Sequence, residues 1–342
     1  MKKQTILIIL IISVVGILIS VPLFTYAQSN NAQSKQYDVF VVLWRGITDA
    51  EKGFMDYLSQ RNIGANFIIR DCGKDVTRVP GIMKEIRDTK PDLVYIFGTT
   101  LTTKIAGTIT DGNPDQFITD IPIIFNIVAD PIGASLVPNL VTSGRNLTGV
   151  SHMVPVPAQV RAMKSVAEFT RLGVIFNPQE KNSVLCVKAL EDAADSHNFQ
   201  VIRSPIPLDE NRKPIEDISP DIVKIFVSEG VDLVYLPSDS FIISHSKYLV
   251  NIINESGIPT FSATEGPILN ADALMGLVSR YYNVGQFAGY KAEQILVSRK
   301  HPKNIPIETL KRFSFIINMK TARKMGFYPP IAILKFAEVI TG

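Results

Sequence analysis

The sequence predicts an α/β fold of two similar lobes, each a doubly wound parallel sheet. Three observations point there. First, the chain repeats itself without a gap: residues 82–95 align with residues 222–235. Ile82/Ile222, Lys84/Lys224 and Asp92-Leu93-Val94-Tyr95/Asp232-Leu233-Val234-Tyr235 are identical, and Ile121-Pro122 and Ile258-Pro259 resume the match downstream. Two copies 140 residues apart are too few and too long for a solenoid, so they mark two lobes of like construction. Second, short β-branched runs alternate with longer helical patterns, which implies parallel strands joined by right-handed crossovers. Third, the 342 residues exceed the size at which one core usually splits in two. Two facing lobes enclose a cleft, a preferred place for a ligand.

Strands are expected at residues 38–44, 65–70, 93–98, 122–128 and 147–153 of the first series. The second series is expected at 172–177, 200–204, 233–237, 259–263 and 274–279, with a last strand at 313–318. These runs are short and mostly apolar throughout, as in strands covered on both faces. Helices are expected at 49–60, 77–88, 184–196, 240–255 and 284–298. Asn182-Ser183 and Asp239-Ser240 supply good cap types at two helix starts. Asp130-Pro131 predicts a further start, with Pro at the first helical position. The Pro-rich Val154-Pro155-Val156-Pro157 reads as the linker that ends the first lobe.

The chain opens on Lys2-Lys3, an apolar run over 6–19 and Thr25-Tyr26-Ala27, a secretory leader pattern. Cleavage is expected after Ala27, with 28–36 a disordered leader and the protein exported to the periplasm. The alternative is an uncleaved anchor tethering it to the membrane, since 6–24 is nearly long enough to span. Removing residues 1–27 lowers the formal charge from +3 to +1, and a near-neutral chain without a basic stripe argues against nucleic acid. Cys72 and Cys186 could pair in an oxidising compartment. They fall in different lobes, however, and two separate thiols are expected.

Ligands of open α/β sheets sit beyond the carboxyl ends of the strands, where the next helix points its free N–H groups and positive dipole end. Here those turns are polar: Gly98-Thr99-Thr100, Ser238-Asp239-Ser240, and Asn182-Ser183, with Asn126 near the end of its strand. Their hydroxyl and N–H groups are expected to grip a solute carboxylate or other acceptor, although Thr99, Ser183 and Ser240 are also ordinary cap residues. Asp130 and Glu265 lie past equivalent strands of the two lobes and, with Asp239, are candidates to accept an ammonium group. Asp130, standing before Pro131, is equally a cap. Trp44, the single tryptophan, either stacks on an aromatic or cationic ligand or packs inside; Arg45 and Gly46 beside it favour the cleft. His152, His197, His245 and His301 have no metal-ligand spacing, and no nucleophile elbow, phosphate loop or dinucleotide fingerprint appears. Neither catalysis nor a cofactor nor a metal is therefore expected.

Several stretches together resemble one family. They are residues 91–100, Ile121-Pro122-Ile123-Ile124-Phe125 with Asp130-Pro131, Asn146-Leu147-Thr148-Gly149-Val150, Leu172–Asn177 with Asn182-Ser183, and Thr321-Ala322-Arg323-Lys324-Met325-Gly326. In order and spacing the chain resembles the ABC-transporter substrate-binding proteins of the class that includes tryptophan- and tyrosine-associated members, over nearly all of residues 37–335. The resemblance implies a type I periplasmic-binding fold, a monomer that closes on an amino-acid-like solute, and ABC permease subunits as partners. One departure is Trp44-Arg45-Gly46, where family members often carry a small polar or acidic stretch. The resemblance, together with a helix at 284–298 that would otherwise be stranded, implies a hinge of several crossings. Lobe 1 is then 37–154 with about 280–312, and lobe 2 is 155–279 with about 313–342. A ligand sensor docking on a membrane receptor is the alternative to transport.

Overall fold

The computed structural model describes residues 35–111 and 113–341. The expected leader, 1–27, and most of the polar segment after it lie outside the described residues. The first half alternates β1 (Tyr37–Leu43), α1 (Asp49–Gln60), β2 (Ala65–Asp71), α2 (Val79–Thr89), β3 (Leu93–Phe97), α3 (Gly98–Ala106), β4 (Ile123–Val128) and β5 (Leu147–Ser151). Then follow α4 (Val156–Lys164), β6 (Arg171–Phe176), α5 (Lys181–His197), β7 (Gln200–Pro205), α6 (Lys224–Ser228), β8 (Leu233–Leu236), α7 (Ser240–Ser244), α8 (Ser246–Glu255), β9 (Thr260–Ser262), α9 (Glu265–Asn270) and β10 (Met275–Val278). The chain ends on α10 (Tyr281–Leu296), β11 (Ser314–Asn318), α11 (Met319–Met325), α12 (Ile331–Leu334) and β12 (Glu338–Ile340).

The strands form two sheets, ordered β2-β1-β3-β4-β5 and β12-β11-β10-β9-β8-β6-β7. Every pairing is parallel except β10 with β11, which is antiparallel and departs from the purely parallel expectation. Each sheet is buried on both faces. In the first, Phe40, Val42, Ile96 and Phe125 face one apolar layer, and Val39, Val41, Tyr95 and Ile124 the other. In the second, Leu172, Val174 and Tyr235 face one layer, and Ile175, Val234 and Leu236 the other.

The repeated residues do the same work twice. Asp92 Oδ2 accepts from Asp38 N at 3.0 Å, and Asp232 Oδ2 accepts from Thr170 N and Arg171 N at 2.8 and 2.9 Å. Each aspartate thus ties the start of its own strand to the start of the sheet's founding strand, β1 or β6. Tyr95 is fully buried, donates to Glu51 Oε1 at 2.7 Å and accepts from Asn126 Nδ2 at 3.0 Å. Tyr235, equally buried, donates to Gln159 Oε1 at 3.0 Å. A buried phenol needs a partner, and each repeat places one on a neighbouring helix.

Helix α10 returns to the first sheet and crosses α1 at close range. A Cβ added to Gly53 would stand 2.0 Å from Tyr282 O, and one on Gly285 1.9 Å from Ala50 O. Thr148 Oγ1 then donates to Ile305 O at 2.8 Å, and Glu308 bridges to Val150, which lays the next segment beside β5. The chain therefore passes between the sheets three times, after β5, before α10 and before β11.

Three local expectations are corrected. Asp130-Pro131 starts a turn and no helix, because Asp130 Oδ1 accepts from Gly133 N at 2.8 Å and Ser135 takes a left-handed φ of 58°. The helix expected over 240–255 is two, α7 and α8, broken at His245 with ψ near 10°. The tail forms α11, α12 and β12, none of them expected. Cys72 and Cys186 are free thiols, each buried in a different sheet's core.

Candidate functional site

One hollow opens where the carboxyl ends of both sheets meet. The first sheet contributes Trp44 and Arg45 after β1, Phe97 to Leu101 across the β3–α3 junction, and Ile127 on β4. The second contributes Glu180 and Asn182 at the start of α5, and Ser238, Ser240 and Ile243 around the start of α7. Tyr281, the first residue of α10, closes the back. The hollow holds about 380 Å³ of space free of atoms, its mouth included. Only about 30 Å³ of that lies far enough from the walls for the centre of a water molecule, so it is a narrow slot.

The first wall is built to meet an acceptor. Helix α3 starts on Gly98 directly from β3 with no side chain capping it, so its first N–H groups point at the hollow. Gly98 holds a φ of 81°, which favours glycine. Thr99 Oγ1 accepts from Ala129 N at 3.4 Å, anchoring the turn to the end of β4, and Thr100 also lines the wall. The Arg45 guanidinium lies 5.5 Å from the Phe97 ring centre. Trp44 packs on both layers of the first core and also lines the slot. Its indole Nε1 is buried without a partner among the described residues. Ile127 carries a φ of 56° at a register shift in β4. A β-branched residue there costs on the order of 1–3 kcal/mol, strain of the kind concentrated at functional sites.

The second wall is acidic. Glu180 Oε2 accepts from Ser240 N at 2.8 Å, and Oε1 from Asn182 Nδ2 and Ser240 Oγ at 3.0 and 3.1 Å. Burial first, then the neighbouring Asp239 charge, push the Glu180 carboxyl up to about 8. Asp239 is fully buried behind it and caps α7, accepting from Phe241 N and Ile242 N at 2.9 and 3.0 Å. Its other oxygen accepts from Asn177 N at 2.8 Å and from the Ser183 hydroxyl.

His152 ties the walls together. Its Nε2 lies 2.8 Å from Ser238 Oγ, its ring meets Tyr281 edge-on at 5.7 Å, and its Nδ1 is buried without a partner among the described residues. Burial lowers its pKa to about 4, so the ring is neutral. Burial likewise pushes the Tyr281 hydroxyl up to about 12.

Of the residues singled out from the sequence, Trp44, Arg45, Gly98, Thr99, Thr100, Asn182, Ser238 and Ser240 line the slot. Ser183, Asp239 and Asn126 lie buried beneath it, engaged with their own sheets. Asp130 is exposed and caps its own turn. Glu265 is outside the lining: it accepts from Tyr281 N at 2.9 Å and pairs with Arg280 Nε at 2.8 Å, at the second passage between the sheets. Sequence reasoning missed Glu180, Phe97, Ile127, Ile243 and Tyr281. Glu180 stands two residues before the flagged Asn182, but nothing local separates it from a solvent-facing glutamate. Tyr281 reaches the slot only through the return of α10. Among the described residues no group of His, Cys, Asp and Glu is placed to hold a metal ion.

Residues 40–340 match the family model described as ABC transporter substrate binding protein. A tyrosine-binding protein from Clostridioides difficile (strain R20291) is 29% identical over 283 residues, spanning 81% of this chain and 76% of the relative. The ABC domain in complex with L-Trp from Streptococcus pneumonia superposes with a TM-score of 0.77 at 22% identity, covering 90% of this chain and 100% of that one. A ligand-free, open substrate-binding protein with adhesive properties from Clostridium difficile gives 0.68 at 22% identity, covering 89% and 99%. These structures share the fold, two mostly parallel sheets of the type I periplasmic-binding kind. The family is one of solute-binding proteins and not of enzymes. With a match running from β1 to β12 and a slot at the meeting of its two sheets, this chain belongs to the ABC transporter substrate binding protein family.

Proposed function

We propose that this protein captures a small amino-acid-like solute, with an aromatic side chain, outside the cytoplasm and delivers it to an ABC importer. One observation carries the reading. The slot sets Arg45 and the uncapped start of α3 on one wall, Glu180 on the other, and the rings of Trp44, Phe97 and Tyr281 among them. That is a chemistry for a solute with charged ends and a flat apolar body. The names of the C. difficile tyrosine-binding relative and of the L-Trp complex support the same class.

The two sheets with their helices act as lobes, 37–154 with about 280–312 and 155–279 with about 313–342, and the three passages act as the hinge. A ligand touching both walls favours the closed form by its differential affinity for that form. The closed surfaces of a monomer are what the permease reads. Among the described residues no helix is long and apolar enough to cross a membrane. Export rests on the leader at 1–27, cleaved after Ala27.

The test is calorimetric titration of the purified protein with the common amino acids, nucleosides and small organic acids, followed by X-ray scattering. Saturable binding of tyrosine or tryptophan, with a smaller radius of gyration in the complex, is expected. Saturable binding of nucleosides or organic acids alone would overturn the amino-acid reading.

A further inference from the structure

The slot sets the Arg45 guanidinium on one wall and the Glu180 carboxyl group on the other, and the acidic wall is incomplete. Glu180 and Asp239 are neighbouring acids, yet among the described residues neither forms an ion pair. Asp239 is fully engaged: four donors from Asn177, Ser183, Phe241 and Ile242 occupy its two oxygens. Glu180 is not. A carboxylate offers about four acceptor positions. Ser240 and Asn182 fill two on Oε1 and one on Oε2, which leaves Oε2 with room on the residue that lines the slot. A half-buried acid beside a second buried acid is costly to ionise unless a cation arrives. The facing wall supplies no such cation to it, since the Arg45 guanidinium lies over Phe97.

We propose that Glu180 is the specificity-determining acceptor for a ligand ammonium group. The slot then divides a zwitterion, with the nitrogen on Glu180 of lobe 2 and the carboxylate on Arg45 and the start of α3 of lobe 1. This deepens the amino-acid reading and rests on it. It replaces Asp130, Asp239 and Glu265, the sequence-based candidates for that role, by a residue that the fold alone brings to the slot. Neither charged end by itself bridges the walls, so a solute lacking one of them holds only one lobe. At neutral pH the raised Glu180 carboxyl carries a proton in the empty slot. An arriving ammonium favours the ionised form, so binding releases a proton to solvent.

The experiment is calorimetry of the wild type and Glu180→Gln with L-tyrosine and with its desamino analogue, 3-(4-hydroxyphenyl)propionate, in two buffers of different ionisation heat. The wild type is expected to prefer L-tyrosine by about tenfold or more, as for a lost charge-assisted hydrogen bond. In Glu180→Gln that preference should vanish, along with the proton release. Retention of tyrosine affinity by a folded Glu180→Gln overturns the proposal. So does equal binding of the two ligands by the wild type, a measurement that needs no variant. A wild type that binds neither tyrosine nor tryptophan fails the amino-acid reading itself and is a distinct result.

Discussion

His152 is neutral and buried where the two walls touch, with Arg45 the nearby charge that further disfavours its protonation. Its pKa is lowered to about 4 from the ordinary 6.5, so between those values the folded state binds fewer protons than the unfolded. Stability from this residue is therefore present above pH 6.5 and is lost as pH falls towards 4. The full difference is about 3 kcal/mol at 1.36 kcal/mol per pKa unit. Glu180 slopes the other way, since its raised carboxyl disfavours folding as pH rises from 4.5 to about 8. The informative quantity is consequently a difference between proteins. Urea unfolding of wild type and His152→Gln should show the wild type losing ground to the variant between pH 6.5 and 4. A constant gap would place His152 in solvent. At this scale the sequence was half legible: it showed the polar turns but not which of their side chains face the slot. Asp239 and Ser183 have the chemistry of ligand groups and are engaged by Asn177, Phe241 and each other.

Elements were the most legible scale. Helix α1 matches its expected span, because Thr48 and Glu51 form a capping box and Phe54 and Leu58 recur at helical spacing. The runs at β1, β3 and β4 are apolar on both faces, so their pattern needed no tertiary information. The break at His245 was illegible: nothing local marks it, and the ring there, stacked at 4.1 Å on Phe241, reaches Glu216 Oε2 at 2.7 Å, a partner far away in sequence. The antiparallel β11 was illegible too, because strand direction depends on where the chain re-enters. Two glycines separate element packing from local conformation. Gly285→Ala drives a methyl into Ala50 O and must part α1 from α10, at a cost of about 3 kcal/mol. Gly98→Ala meets nothing within 4 Å and bears only the left-handed backbone cost, about 1–2 kcal/mol. Denaturant midpoints should rank them in that order, and a reversed order would contradict the close α1–α10 crossing.

The whole molecule is a pair of like halves, and the repeat announced it. Asp92 and Asp232 pin equivalent strand starts, and Tyr95 and Tyr235 each find a partner on a covering helix, α1 for one and α4 for the other. What the repeat could not announce is that neither half is a continuous stretch of chain. Helix α10 covers the first sheet's layer of Val39, Val41, Tyr95 and Ile124, yet it follows the whole run from α4 to β10. On a ribosome the opening half thus has only α1 over that layer, and part of it stays uncovered, until residue 296 has emerged. A chain cut before Tyr281 is expected to bind an apolar dye that the full chain ignores, and an unreactive truncation would deny α10 that covering role. The order of synthesis itself thus leaves the first core to be completed last, after β6 to β10 of the other sheet have been made.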